Sequence, residues 1–179
     1  EVLMRKAEMV LQGGDTKTAE TLFAQVAAIA DFESADHAQF RQGYCLSQQN
    51  KFKEAGDLYA SLVGRFPDSS YKSDATVSAG RAYYRAGADE LAQQWFQKVV
   101  DAGAADVVES AHWICRLHLR NNRAALAIAL ADTVLPKAGD DKFTANLMMD
   151  KADALYADPA KKAESQAIYI SIAEKYPDH

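Results

Sequence analysis

The stretch Lys51-Phe52-Lys53-Glu54-Ala55-Gly56-Asp57-Leu58-Tyr59-Ala60-Ser61-Leu62, closed by Arg65-Phe66-Pro67-Asp68, decides the fold. Counted from Ala55, apolar residues fall at offsets 3, 4 and 7 (Leu58, Tyr59, Leu62), which places them on one face of an α-helix. The same pattern starts again at Ala19, Ala92, Ala127 and Ser165, at spacings of 36, 37, 35 and 38 residues. Offset 3 carries Leu22, Leu58, Trp95, Leu130 and Ile168, and offset 4 carries Phe23, Tyr59, Phe96, Ala131 and Tyr169. Offset 7 carries Val26, Leu62, Val99, Val134 and Ile172. A unit of this length cannot bury its apolar stripe alone, so successive units must stack.

Between the stripes lie two kinds of break. Gly13-Gly14-Asp15, Gln49-Asn50-Lys51, Ala86-Gly87-Ala88 and Asn121-Asn122-Arg123 occupy equivalent places, with glycine or asparagine suited to a left-handed helix end. Phe66-Pro67-Asp68-Ser69-Ser70, Ala102-Gly103-Ala104, Lys137-Ala138-Gly139-Asp140 and Tyr176-Pro177-Asp178 combine a breaker with capping residues. The reading is ten helices, over about 1–13, 16–30, 34–49, 51–65, 71–86, 88–102, 106–120, 122–136, 141–157 and 160–176. They form one array with units 1–33, 34–69, 70–104, 105–140 and 141–179. Twelve residues before the small positions of the first four units stand Ala7, Gly43, Gly80 and Cys115, which would let the two axes of a pair approach closely.

Gly43, Phe52, Ala55, Tyr59 and Pro67, with Gly80, Tyr83, Ala92 and Phe96, resemble the tetratricopeptide repeat, whose signature is small, aromatic, small, aromatic and proline at those offsets. The resemblance implies an all-α fold, a right-handed superhelix of helix-turn-helix repeats. It also implies a non-catalytic scaffold that binds a protein or peptide. Two departures stand out: Ala131 at an aromatic position, and Ser165 for alanine with one extra residue near Asp158-Pro159. The aromatic-Pro-Asp breaks at Phe66 and Tyr176 further resemble tetratricopeptide proteins of the bacterial cell envelope, of the TolA-binding coordinator and outer-membrane assembly lipoprotein types. That likeness implies a periplasmic or envelope location, and an alternative role as a structural spacer or assembly domain of a larger envelope or secretion protein.

In the family the first helix of each pair lines the concave face. Carried onto this chain, the groove would present Phe40 and Tyr44, then Arg81, Tyr84 and Arg85, then His112, Arg116 and Arg120. Arg81 and Arg85 are four apart, as are Arg116 and Arg120, so each pair shares a helical face. Four guanidinium groups beside tyrosine rings would suit an extended acidic segment or a chain-terminal carboxylate. Alternatively Asp74, Glu109 or Asp153 neutralises them in ordinary surface pairs. Tyr44, Arg81 and Arg116 stand where the clamps of chaperone tails would use asparagine, which argues against that co-chaperone role.

Composition supports this reading. With 49% hydrophobic and 25% charged residues, the chain belongs among packed proteins, and its net charge of −5 without a basic run lacks the footprint of nucleic-acid binding. The apolar stretch 124–131 is too short for a membrane span. His112, Cys115 and His118 are spaced by three on one helix and diverge too far around it to meet one metal ion, so neither metal nor cofactor is expected. Cys45 and Cys115 are expected to be buried and reduced. Trp95 falls on the core stripe, whereas Trp113 lies off it and covers a neighbouring turn. No phosphate loop or nucleophile motif points to an enzyme. The chain opens on Glu1 and stops at a break that elsewhere introduces another unit, so it reads as an excised piece. The flank of the last helix around Ile168, Ile172 and Tyr176 is then expected to lack cover and to favour self-association.

Overall fold

The computed structural model describes residues 1–29, 31–103 and 105–177. Ala30, Ala104, Asp178 and His179, on which parts of the expected helix ends and breaks fall, lie outside the described residues. Among the described residues there are ten α-helices, one short 3₁₀ turn and no strand. The helices are α1 (Val2–Gln12), α2 (Thr16–Ala27), α3 (Ala35–Gln48), α4 (Phe52–Arg65), α5 (Lys72–Arg85), α6 (Asp89–Ala102), α7 (Val107–Arg120), α8 (Ala124–Ala138), α9 (Thr144–Tyr156) and α10 (Lys162–Lys175). They group into two compact units, residues 1–95 and 96–179. In the first, each of α1 to α4 packs on its successor; in the second, each of α7 to α9 does so, and α7 also packs on α9.

The periodicity reads out directly as burial. Ala19, Ala55, Ala92, Ala127 and Ser165 are all fully buried, and every residue at offset 7 is buried with them. At offset 3 only Leu22 is buried, while Leu58, Trp95, Leu130 and Ile168 are half-buried. Offset 4 is buried in the first four repeats, but Tyr169 is 37% exposed. The small residues of the first helices explain the close approach. A Cβ at Gly43 of α3 would lie 2.7 Å from the Tyr59 ring of α4; on the second helix, α4, one at Gly56 would lie 2.8 Å from the Tyr83 ring of α5. Where the first helix carries Cys115, its thiol donates to the Ala127 carbonyl at 3.4 Å. In the last pair the relation is reversed, with the Ser165 hydroxyl donating to the Ala152 carbonyl at 2.8 Å.

The four turns inside the first four repeats are one cap built four times. Gly14, Asn50, Gly87 and Asn122 have φ of 87°, 61°, 72° and 56°. The amide of each donates to the carbonyl three residues back, and the following amide to the carbonyl five back: Asp15 to Val10, Lys51 to Leu46, Ala88 to Tyr83 and Arg123 to His118. This pair of bonds satisfies carbonyls that the helix end leaves without a partner. The equivalent position in the fifth repeat, seven residues after Ala152, is Pro159. Proline is locked at negative φ and cannot make this cap. The chain instead makes a 3₁₀ turn over Pro159–Lys161, with the Asp158 carboxylate accepting from the Ala160 amide. This is where the one extra residue goes.

Three expectations need correction. The second helix ends at Ala27 rather than 30. α8 begins at Ala124 rather than 122 and runs on through Pro136 to Ala138. A proline in the last turn removes few helical bonds, and the stop falls at Gly139, whose φ of 55° and ψ of −135° suit glycine. Ile172, expected to be uncovered, is buried like the other residues at offset 7, so the exposed apolar groups of α10 are Tyr169 and Ile170, the latter 60% exposed.

Candidate functional site

In the first unit the expected site residues lie on α3 and α5. Phe40 is half-buried in an aromatic cluster, tilted against Tyr59 at 5.4 Å and stacked on Tyr71 at 5.3 Å; Tyr71 in turn stacks flat on His37 at 4.9 Å. Tyr44, one turn further along α3, is exposed, with the Arg41 guanidinium 5.4 Å from its ring centre. Arg41 is held by a two-pronged bond to Glu8 of α1, at 2.9 and 2.7 Å. The tyrosine is thus flanked by a neutralised arginine, which fixes its surroundings without adding net positive charge. Arg81 is exposed and Tyr84 half-buried. Arg85, also exposed, lays its guanidinium 4.0 Å from the centre of the Phe52 ring at the start of α4, so its charge rests on an aromatic face rather than on a carboxylate.

In the second unit the residues lie on α7, and the structure separates them. His112 is buried, with Nδ1 2.6 Å from Oδ2 of Asp150 on α9 and its ring against Trp113 and Phe143. A carboxylate has no hydrogen to give, so Nδ1–H is the donor when Asp150 is ionised. Burial pushes the Asp150 carboxyl above its ordinary range, against the opposing pull of His112 and Arg116. Arg116 is 48% exposed in its side chain and stands 3.9 Å from Asp150 and 3.8 Å from Asp153. Those separations are ion pairs beyond hydrogen-bond length, so its donors remain available to a further acceptor. Asp153 also accepts from the Tyr169 hydroxyl. Arg120 is exposed.

Of the carboxylates weighed against the arginines, Asp153 pairs with Arg116; Glu109 is buried, and one of its oxygens accepts from the Trp113 indole at 3.2 Å. Trp113, expected over a neighbouring turn, stacks on Phe96 of α6 at 6.3 Å. Cys45 and Cys115 are both buried free thiols, and burial pushes the Cys45 thiol up to about 11, which makes it a poor nucleophile at neutral pH. Among the described residues no group of His, Cys, Asp and Glu is arranged to hold a metal, and no helix is long and apolar enough to cross a membrane.

Asp150 is the residue that the sequence reading missed. It stands between Leu147 and Ala154 at helical spacing, on a stripe that is otherwise buried and apolar, and an acid on such a stripe needs a partner. His112 is that partner, 38 residues earlier.

With this geometry established, the relatives are informative. Residues 37–69 match the family described as tetratricopeptide repeat, which places a repeat of that type on α3 and α4. No curated protein matches the chain. Among solved structures, the nearly identical TPR-like repeats of a putative kinesin light chain from Podosopora anserina superpose with a TM-score of 0.69 at 17% identity, over 98% of this chain and 96% of that one. A point variant of the same repeats gives 0.71 at 16% identity, over 99% and 96%. At such identities the likeness establishes the fold: an all-α array of tetratricopeptide-like helix pairs. Proteins built of this repeat generally mediate protein–protein interaction and are typically non-catalytic scaffolds. Neither comparison bears on the envelope resemblance.

Proposed function

We propose that this chain is a non-catalytic interaction scaffold that holds an extended or helical segment of another protein along the face formed by the first helices of its pairs, with a preference for acidic segments. The observation that carries the reading is the exposure of Tyr44, Arg81, Arg85, Arg116 and Arg120 on those helices, in a chain whose net charge is −5. Packed helices are ordered before the partner arrives, so binding costs conformational entropy mainly in the partner. Tyr44 and Tyr84 would supply apolar contact area, while the arginines select sequence and speed encounter.

The test is a peptide array of acidic and basic segments probed with wild-type protein and with an Arg81→Glu, Arg116→Gln variant. Glutamine is used at 116 because a glutamate there would face Asp150 and Asp153 and disturb folding as well as binding. Each lost charge pair should weaken acidic binders about fivefold at low salt and less at high salt. Equal binding by wild type and variant would remove the first-helix face as the recognition surface. A second reading, a spacer or assembly domain docked through its terminal helices, is supported by the exposed Val2 and Met9 on α1 and Tyr169 and Ile170 on α10. Concentration-dependent association of the isolated chain, abolished by Ile170→Glu, would favour it.

A further inference from the structure

The first unit plugs a space that the second unit leaves open. In the first, Arg65 at the end of α4 reaches the Ala27 carbonyl at 3.2 Å and Oε1 of Gln39 at 3.3 Å. Gln39, itself buried, donates to the Leu58 carbonyl at 3.0 Å and the Ser61 hydroxyl at 3.3 Å. Two long side chains thus fill the gap between the end of α2, the start of α3 and the end of α4. Two repeats later the corresponding residues are Lys137 for Arg65, Ala111 for Gln39, Val100 for Ala27 and Val108 for Asp36. The plug is gone and the walls are more apolar. What remains is a cavity of about 360 Å³ between the ends of α6 and α8 and the start of α7, floored by Val108 and Val134 and walled by Val100 and Val107. That size and character fall in the range of small-ligand sites.

The mouth defines the head group. Thr133 spends its hydroxyl hydrogen on the Ala129 carbonyl at 2.9 Å. The Asp141 carboxylate accepts the Phe143 amide at 2.7 Å. The Lys137 ammonium has no hydrogen-bond or ion partner among the described residues. Of the three polar side chains lining the cavity, only that of Lys137 therefore has donors to offer, while Asp141 disfavours a second negative charge on the ligand.

We propose that this cavity is a binding site for an aliphatic monocarboxylate, its chain among the valines and its carboxylate on Lys137. The site is independent of the first-helix face. It is tested by titrating the whole chain with hexanoate, heptanoate and octanoate, and with octanol, octylamine and octanedioate, while following valine and threonine methyl resonances. Octanoate should shift the methyls of Val100, Val107, Val108 and Val134 together. Affinity should rise about fourfold per added methylene, the factor for burying one such group. Octanol and octanedioate should bind several-fold more weakly than octanoate. Lys137→Met, at an exposed position, should bring octanoate down to the affinity of octanol. Rebuilding the plug with Ala111→Gln and Lys137→Arg should abolish the shifts in a folded protein. Octylamine binding as tightly as octanoate would overturn the proposal, as would a preference for octanoate that survives Lys137→Met, or a folded plug variant that binds as wild type does. If the plug variant does not fold, the Lys137→Met comparison decides the matter.

Discussion

A single methyl group added at Gly43 should destabilise the protein, although glycine to alanine inside a helix normally stabilises by about 1 kcal/mol. The reason is the Tyr59 ring, whose Cε1, Cζ and Cδ1 atoms would lie 2.7, 2.8 and 3.0 Å from the new Cβ. Tyr59 is 4% exposed and braced by Phe40, so the ring cannot swing clear without moving the cluster that includes Tyr71 and His37. Overpacking of this kind costs about 1–3 kcal/mol, which outweighs the propensity gain and leaves a net loss of about 0–2 kcal/mol. Gly64 on α4 is the control, because a Cβ there meets nothing within 4 Å. Gly64→Ala should gain up to about 1 kcal/mol, so the two alanine variants should differ by about 1–3 kcal/mol. For a chain of this size each kcal/mol moves the melting temperature by about 2–4 °C, a separation that circular dichroism melts resolve. Combining Gly43→Ala with Tyr59→Leu should cost less than the sum of the two single changes, since the smaller side chain frees the space. A Gly43→Ala protein that melts as high as Gly64→Ala would refute the argument.

The other expectations concern charge, packing and the chain end. His118 is buried with Nδ1 lacking a hydrogen-bond partner among the described residues, and burial depresses its pKa below the ordinary value of about 6.5. The unfolded chain therefore binds the proton first, and stability should fall as pH drops from about 6.5 towards the depressed value, by at most about 1.4 kcal/mol per pH unit. Urea titrations of His118→Gln should lose that part of the slope, and an unchanged slope would assign it elsewhere. Asp150→Ala would leave His112 buried without its partner and should cost about 3–5 kcal/mol, measured by urea unfolding; a loss under about 1 kcal/mol would mean that water replaces the carboxylate. Ala55→Leu, at a fully buried position, should cost about 1–3 kcal/mol, and unchanged stability would put the repeat register in error. Hydrogen exchange should be faster in α10 than in α3 and α4, because Tyr169 is exposed where Phe23 and Tyr59 are buried; uniform protection would show that α10 is as well covered as they are.

Read alone, the sequence determined the helix register, the small positions at which paired helices touch, and the four left-handed turns. These are properties of a few consecutive residues: a helical period selects a face, and a positive φ selects glycine or asparagine. The same local logic marks Pro159 as the residue that breaks the pattern, although the 3₁₀ turn it forces had to be seen. The candidate arginines were legible as a set, but not their individual surroundings. Arg85 lies on Phe52 and Arg116 between Asp150 and Asp153, because each side chain's reach depends on which neighbour the adjoining helix brings alongside. His112 carried no mark in the sequence to distinguish it from an exposed groove residue; only the packing of α7 on α9 turns it inward onto Asp150. Gln39 with Arg65 fills one gap while Ala111 with Lys137 leaves its counterpart open, a difference set by side-chain length across helices far apart in sequence. Periodicity fixes which face of a helix is buried, but what meets on that face depends on axis separation and side-chain volume, and those exist only once the helices are packed.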